Sequence, residues 1–337
     1  MENVKLSPAQ KFWKTVKSNP IVVLLVVIGI IVGFTKDNFF SWRNFGNLAS
    51  NTAVRFLIAL GVSGCLITKG TDLSAGRQVG FAACLAGVLL QRANYAGRLF
   101  PNMPEMNMGV VLLIVLAIGA VFGLLNGLII AFLNVPPFIA TLGTQTIIYG
   151  ISLVFTDAQP IGGFQESYNN LINGCIGDPK GFYLPYLLFV AVIFGLFFWF
   201  LYNKTCHGKY MYAIGGNEVA AEVSGVNTKK AKILIYMTAG IMYAMAGYLL
   251  AAKSGGASAS MGNGYELEAI AGCTIGGVST TGGIGTIGGV LVGVLVFEFL
   301  KIVLQFLGVN PYYNYMVQGI VIVTAVALDI RKYIAKK

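Results

Sequence analysis

Apolar runs recur along the whole chain, and no motif constrains the fold as strongly as they do. About ten of them, near residues 20–35, 53–69, 73–91, 109–133, 137–156, 183–202, 231–252, 265–278, 284–307 and 312–330, approach or reach the ~20 residues a helix needs to cross a hydrocarbon layer. Backbone polar groups in lipid must be satisfied within the segment, so such runs take helical form. Charged residues make up 11% of the chain and hydrophobic ones 56%, whereas a soluble domain carries about 25% charge. The pattern predicts an all-α polytopic membrane protein with about ten transmembrane helices. Residues 1–337 read as a single transmembrane domain, with too little polar sequence left for an independent soluble one.

Net charge is +10, and the basic residues cluster at span edges rather than along one soluble face, which speaks against nucleic acid and for lipid as the surrounding partner. Lys5, Lys11, Lys14 and Lys17 lie in the segment 1–19, before the first span. Lys204, Lys209, Lys229, Lys230 and Lys232 occupy the loop 203–232, and Arg331, Lys332, Lys336 and Lys337 form the tail 331–337. An even number of spans places all three segments on one side, and the positive-inside rule names that side the cytoplasm. The loop 157–182 carries Asp157, Glu166 and Asp178 against Lys180, as expected of the opposite side. The first 35 residues resemble a secretory signal, but Thr35-Lys36-Asp37 follows instead of a small-x-small cleavage site, so the run reads as an uncleaved span. The five cysteines lack metal-ligand spacing and read mostly as packing residues, and the single histidine, His207, argues against a histidine metal site or triad.

The loop 203–232 is the longest polar interruption. Within it Asn217 is placed to cap a short helix, Glu218 falls in that helix's first turn, and Gly225 can end it in a left-handed conformation. Val219 and Val223 would then lie one turn apart, beside the small Ala220, as a narrow outward stripe. The segment Gly215-Gly216-Asn217-Glu218-Val219-Ala220-Ala221-Glu222-Val223-Ser224-Gly225 reads as a docking element for a soluble partner; the alternative is a solvated connector.

Two apolar stretches about 207 residues apart are interrupted alike, by Lys69 to Arg77 and by Gly276 to Gly285. Aligning Gly70 with Gly277 brings Asp72 onto Ser279, Ser74 onto Thr281 and Gly76 onto Gly283. Paired broken helices often line a transporter's path; two helical hairpins with polar tips at the surface would give the same pattern. Thr71, Asp72, Ser74 and Arg77, with Ser279, Thr280 and Thr281, are the candidates for lining a path. Mutual pairing of Asp72 with Arg77 would lower the penalty of burying them, and Glu298 and Lys301 are spaced to pair along one helix face. Glycines at 119, 123 and 127, and at 285, 289 and 293, mark close helix contacts within or between subunits.

Gly283-Ile284-Gly285-Thr286-Ile287-Gly288 matches the dinucleotide fingerprint, but no strand–helix unit surrounds it and no acidic residue follows at the required distance. No phosphate-binding Gly-x-x-x-x-Gly-Lys-Ser/Thr loop occurs, and no nucleophile–base or metal constellation supports an enzyme. Asn203-Lys204-Thr205 is a formal glycosylation sequon, silent on the cytoplasmic side.

The runs Thr68-Lys69-Gly70-Thr71-Asp72-Leu73-Ser74-Ala75-Gly76-Arg77-Gln78-Val79-Gly80, Asn126-Gly127-Leu128-Ile129-Ile130-Ala131, Pro137-Phe138-Ile139-Ala140-Thr141-Leu142-Gly143-Thr144, Gly215 to Val226 and Gly276-Gly277-Val278-Ser279 resemble the permease subunits of bacterial ribose/galactose-type ABC sugar importers. The form of the first run is similar to the galactose/methyl-galactoside branch, although Lys69 stands where a neutral residue is common. The resemblance implies a ten-span permease in the bacterial inner membrane, with cytoplasmic termini, working as a homodimer. It implies a cytoplasmic ATPase with two fused nucleotide-binding domains, which holds ATP and Mg while this chain binds no cofactor. It further implies a periplasmic galactose-binding protein, and it maps Gly215–Gly225 onto the family's coupling helix. The expected function is import by alternating access, with galactose or a methyl-galactoside as cargo; an ion- or proton-coupled secondary sugar transporter is the alternative.

Overall fold

The computed structural model describes residues 20–178, 181–310 and 312–334. The lysines at 5, 11, 14, 17 and 180 and the tail end at 335–337 lie outside the described residues. In chain order the elements are α1 (Pro20–Thr35), α2 (Trp42–Ile67), α3 (Ala75–Leu89), α4 (Met108–Phe132), α5 (Pro137–Thr156) and α6 (Glu166–Asn173). A short antiparallel hairpin follows, β1 (Cys175–Gly177) with β2 (Tyr183–Pro185). Then come α7 (Tyr186–Lys204), α8 (Cys206–Gly216), α9 (Glu218–Val223), α10 (Thr228–Ser254), α11 (Tyr265–Ile275), α12 (Ile287–Phe306) and α13 (Tyr313–Ile334).

Six described helices, α2, α4, α5, α7, α10 and α12, are long and apolar enough to cross a membrane. The other expected spans coincide with the shorter or only partly apolar α1, α3, α11 and α13. Helix α2 starts well before the expected 53, because the Ser41 hydroxyl accepts from the Asn44 N–H at 3.2 Å and caps it. Its first turns carry Arg43, Asn44 and Asn47, which mask the helix from a hydropathy window. The loop 157–182 is also more ordered than its polarity implied. There α6 buries Tyr168 and Ile172 and the hairpin pairs Cys175 with Pro185.

Helices α2 and α10 form the centre. The second half of α2 is apolar on all sides and buried throughout, as such a helix must be when neighbours surround it. Helix α10 lies against α2, α3 and, most extensively, α4. The small-residue file explains that last contact: a Cβ added at Gly119, Gly123 or Gly127 would overlap the α10 backbone at Gly240, Tyr236 or Ile233. Gly289 and Gly293 bring α12 equally close to α11, at Gly276 and Gly272. Both glycine files therefore make contacts within one chain. Cys65, Cys84 and Cys273 are buried packing residues, Cys175 is half-buried and Cys206 is exposed.

Candidate functional site

The segment between α7 and α10 is helical for most of its length, which its polarity had hidden. Thr205 caps α8, Asn217 caps α9 through the Ala220 N–H at 3.1 Å, and Asn227 caps α10 through the Lys230 N–H at 2.9 Å. Gly225 leaves α9 at φ +87°. Val219 and Val223 stand 71% and 85% exposed, with Ala220 and Glu222 also facing out. Ala221 does not share that face: it is buried against Ile214 and Ala231, so it belongs to the seat of α9 on the protein. Glu218 pairs with Lys232 of α10 at 2.5 Å. Burial pushes the His207 imidazole on α8 below its ordinary pKa.

Helices α2 and α11 end alike. Lys69 and Gly277 both take left-handed backbones, at φ 60° and 85°, and the next N–H returns to the helix: Gly70 to the Cys65 carbonyl at 2.8 Å, Val278 to Cys273 at 2.9 Å. That equivalence shifts the register by one residue, setting Lys69 rather than Gly70 opposite Gly277. Beyond it the breaks diverge, since α3 restarts at Ala75 whereas α12 waits until Ile287.

In the first break Asp72 and Ser74 are fully buried. Asp72 Oδ1 accepts from the Ser74 N–H at 2.9 Å and from its hydroxyl at 2.6 Å. Gln78 and Asn126 both donate to the Ser74 hydroxyl oxygen, and Thr141 accepts from the Leu73 N–H while reaching the Thr71 carbonyl. The expected pairing of Asp72 with Arg77 does not form. Asp72 instead accepts from Ser74, the residue just before α3, and Arg77 leaves on another face, donating to Asn263 at 2.9 Å and to the Ala259 carbonyl, over the Tyr149 ring.

The second break is part-exposed and turns on Gly282 and Gly283, at φ 87° and 75°. Ser279 and Thr281 share a hydroxyl hydrogen bond of 2.8 Å, and Thr280 is half-buried beside them. The two breaks meet at the C-terminal end of α8. The Gly283 N–H donates to the Ile67 carbonyl at 2.8 Å, Lys69 Nζ to the Gly216 carbonyl at 3.2 Å, and the Tyr212 hydroxyl to the Gly285 carbonyl at 2.8 Å. A Cβ at Gly215 would overlap the Ile67 carbonyl and Gly283, so glycine permits this approach. Gly215 and Gly216 thus join the α9 mount to both breaks.

A profile of the family described as the branched-chain amino acid transport system / permease component matches residues 44–326. The chain belongs to this permease family. The permease is 48% identical, over 94% of each chain, to the galactose/methyl galactoside import permease protein of Escherichia coli K12. Identity to the protein of the same name in Haemophilus influenzae is 47%, over 97% of this chain and 98% of that one. The ribose import permease protein of E. coli K12 is 35% identical over 96% of each chain. No solved structure matches.

Sequence reasoning found one ion pair of the permease and missed what surrounds it. Lys301 lies 2.8 Å from Glu298, as its spacing predicts, and also 2.8 Å from Glu268 of α11. Arg55 of α2 completes a quartet, 3.1 Å from Glu268 and 3.6 Å from Glu298, with its guanidinium 3.2 Å from the centre of the Tyr265 ring. The available signal was Arg55 itself, a charge inside an apolar run. The quartet binds α2, α11 and α12 together, and the latter two helices flank the second break.

Proposed function

We propose that this chain is the permease subunit of an ATP-driven importer for galactose or a methyl-galactoside. The carrying observation is the 48% identity over 94% of both chains to a permease named for that cargo. No observation favours the ion- or proton-coupled reading. In this proposal two copies form the path, about ten spans cross the bacterial inner membrane, and the termini and the 203–232 segment face the cytoplasm. A periplasmic binding protein delivers the sugar, and a partner ATPase with two fused nucleotide-binding domains uses ATP and Mg; this chain holds neither.

The exposed Val219–Val223 face of α9 seats in a groove of the ATPase. Nucleotide-driven motion enters there and passes through Gly215 and Gly216 to the breaks, where Thr71, Asp72, Ser74 and Arg77, with Ser279, Thr280 and Thr281, bound the inner end of the path. The two broken-helix elements act as a pair whose halves move differently. Alternating access follows if nucleotide and binding protein each favour one of two states of this unit.

The test is labelled galactose uptake into proteoliposomes holding the permease, with and without ATPase and binding protein. Uptake should require both and persist with an uncoupler. Uptake without the ATPase that collapses with an uncoupler would overturn the reading in favour of secondary transport.

A further inference from the structure

Helix α2 carries a polar file. Ser41 at its cap, then Asn44, Asn47, Asn51 and Arg55, follow at steps of three or four residues, which stacks them along one helix face. Two adjoining cavities open along this face, of about 420 and 870 Å³. The first is bordered by Ser41, Asn44 and Asn47; the second descends from Asn51 to Arg55, Glu298 and Lys301 at the quartet. Asn51, Lys253 and Gln305 border both. Arg55 stands near the middle of the 26-residue helix, and the file occupies the half remote from the breaks and α9.

The lining chemistry narrows the ligand. Amide side chains both donate and accept hydrogen bonds, as the hydroxyls of a sugar do. The side chains of Asn47 and Gln305 are exposed to the cavities and have no hydrogen-bond partner among the described residues. An ion path would present unpaired carboxylates, whereas Glu268 and Glu298 are each held by Arg55 and Lys301. Arg55 and Lys301 balance Glu268 and Glu298 at the floor, and Lys253, which donates to Asn51, adds one further cation to the larger cavity's lining, so the cavity disfavours a cation and presents amides to a neutral ligand. The larger cavity falls within the ~300–1,000 Å³ usual for small-molecule sites.

We propose that the Asn44–Asn47–Asn51 file is the entry path for the hexose, and that the floor at Arg55, Tyr265 and Glu298 is a weak resting site for a neutral polyhydroxylated ligand. This inference rests on the sugar-permease reading. It adds a mechanical link, because the helices that carry the floor flank the second break, so motion there alters the site.

The test uses the complex of permease, ATPase and binding protein in proteoliposomes. In a Cys175→Ser/Cys206→Ser background, Asn47→Cys and Gln305→Cys are labelled with a membrane-impermeant maleimide. Millimolar galactose should slow both labellings roughly threefold or more while leaving Ser167→Cys on α6 unaffected. The Asn47→Leu/Gln305→Leu permease should lose uptake per co-purified complex by roughly tenfold, as losing about two hydrogen bonds would give, and Asn47→Ser/Gln305→Asn should lose less. Unprotected cysteines together with unchanged uptake in the apolar variant would overturn the path while ATP-dependent uptake by the wild type stands. A wild type that takes up no hexose would instead remove the reading beneath it.

Discussion

The first break is short and closed, the second long and half-open, although the helices before them end in the same hydrogen-bond pattern. Asp72, Ser74, Gln78, Asn126 and Thr141 stitch the first to α4 and α5. In the second, the Gly283 N–H donates to the Ile67 carbonyl and the Gly285 carbonyl accepts from the Tyr212 hydroxyl, so its own backbone groups make these long-range bonds. A segment held by converging buried side chains has one arrangement. One held by backbone contacts at left-handed glycines can change partners with less loss. In the proposed cycle the first break is therefore the anchor and the second the moving part.

The largest expected effect tests the anchor. Asp72→Ala removes the acceptor for two buried donors of Ser74, and should destabilise the permease by roughly 2–4 kcal/mol, read as lower membrane abundance and a lower unfolding temperature in detergent. Thr281→Ala deletes one half-buried hydroxyl contact in the second break and should shift stability by about 1 kcal/mol or less in the same assay. Equal losses would erase the distinction between the breaks.

Next comes the moving part. Gly283→Val places a branched side chain at φ +75° against Gly216, a backbone strain of roughly 1–2 kcal/mol. Abundance should fall modestly while receptor-stimulated uptake per molecule falls at least roughly tenfold. Uptake that tracks abundance would make the second break purely structural.

On α9 the two faces should separate. Val223→Glu leaves the fold intact and should weaken co-purification with the ATPase, because it places a charge on the face proposed to dock. Ala221→Glu buries a carboxylate against Ile214 and Ala231, so it should also lower stability, by about 2 kcal/mol or more. Matching behaviour of the two variants would deny the face its role.

The smallest effect is a pH dependence. The folded-state pKa of His207 lies below the ordinary value of about 6.5, so the folded protein resists protonation that the unfolded chain accepts. The resulting stability is present above about pH 6.5 and is lost as pH falls toward the lowered value. His207→Gln should flatten the unfolding temperature across that interval.

The cap Asn217, the left-handed Gly225, the outward Val219 and Val223, the Glu298–Lys301 pair and the close-packing glycines all operate within about one helical turn, or through helix periodicity alone. Local hydrogen-bond geometry and the polarity of lipid decide such features, so the sequence by itself determined them together with the mostly helical membrane class. The tertiary structure decided where segments far apart in the chain meet. Ala221 faces inward because Ile214 and Ala231 converge on it, and Asp72 passes over Arg77 because Ser74 is nearer and already buried. Arg55, Glu268 and Lys301 form one network only once α2, α11 and α12 pack, and α8 reaches both breaks only through the close approach at Gly215. Contacts of this kind depend on crossing angles and side-chain volumes summed over several helices, and no single stretch of sequence contains them.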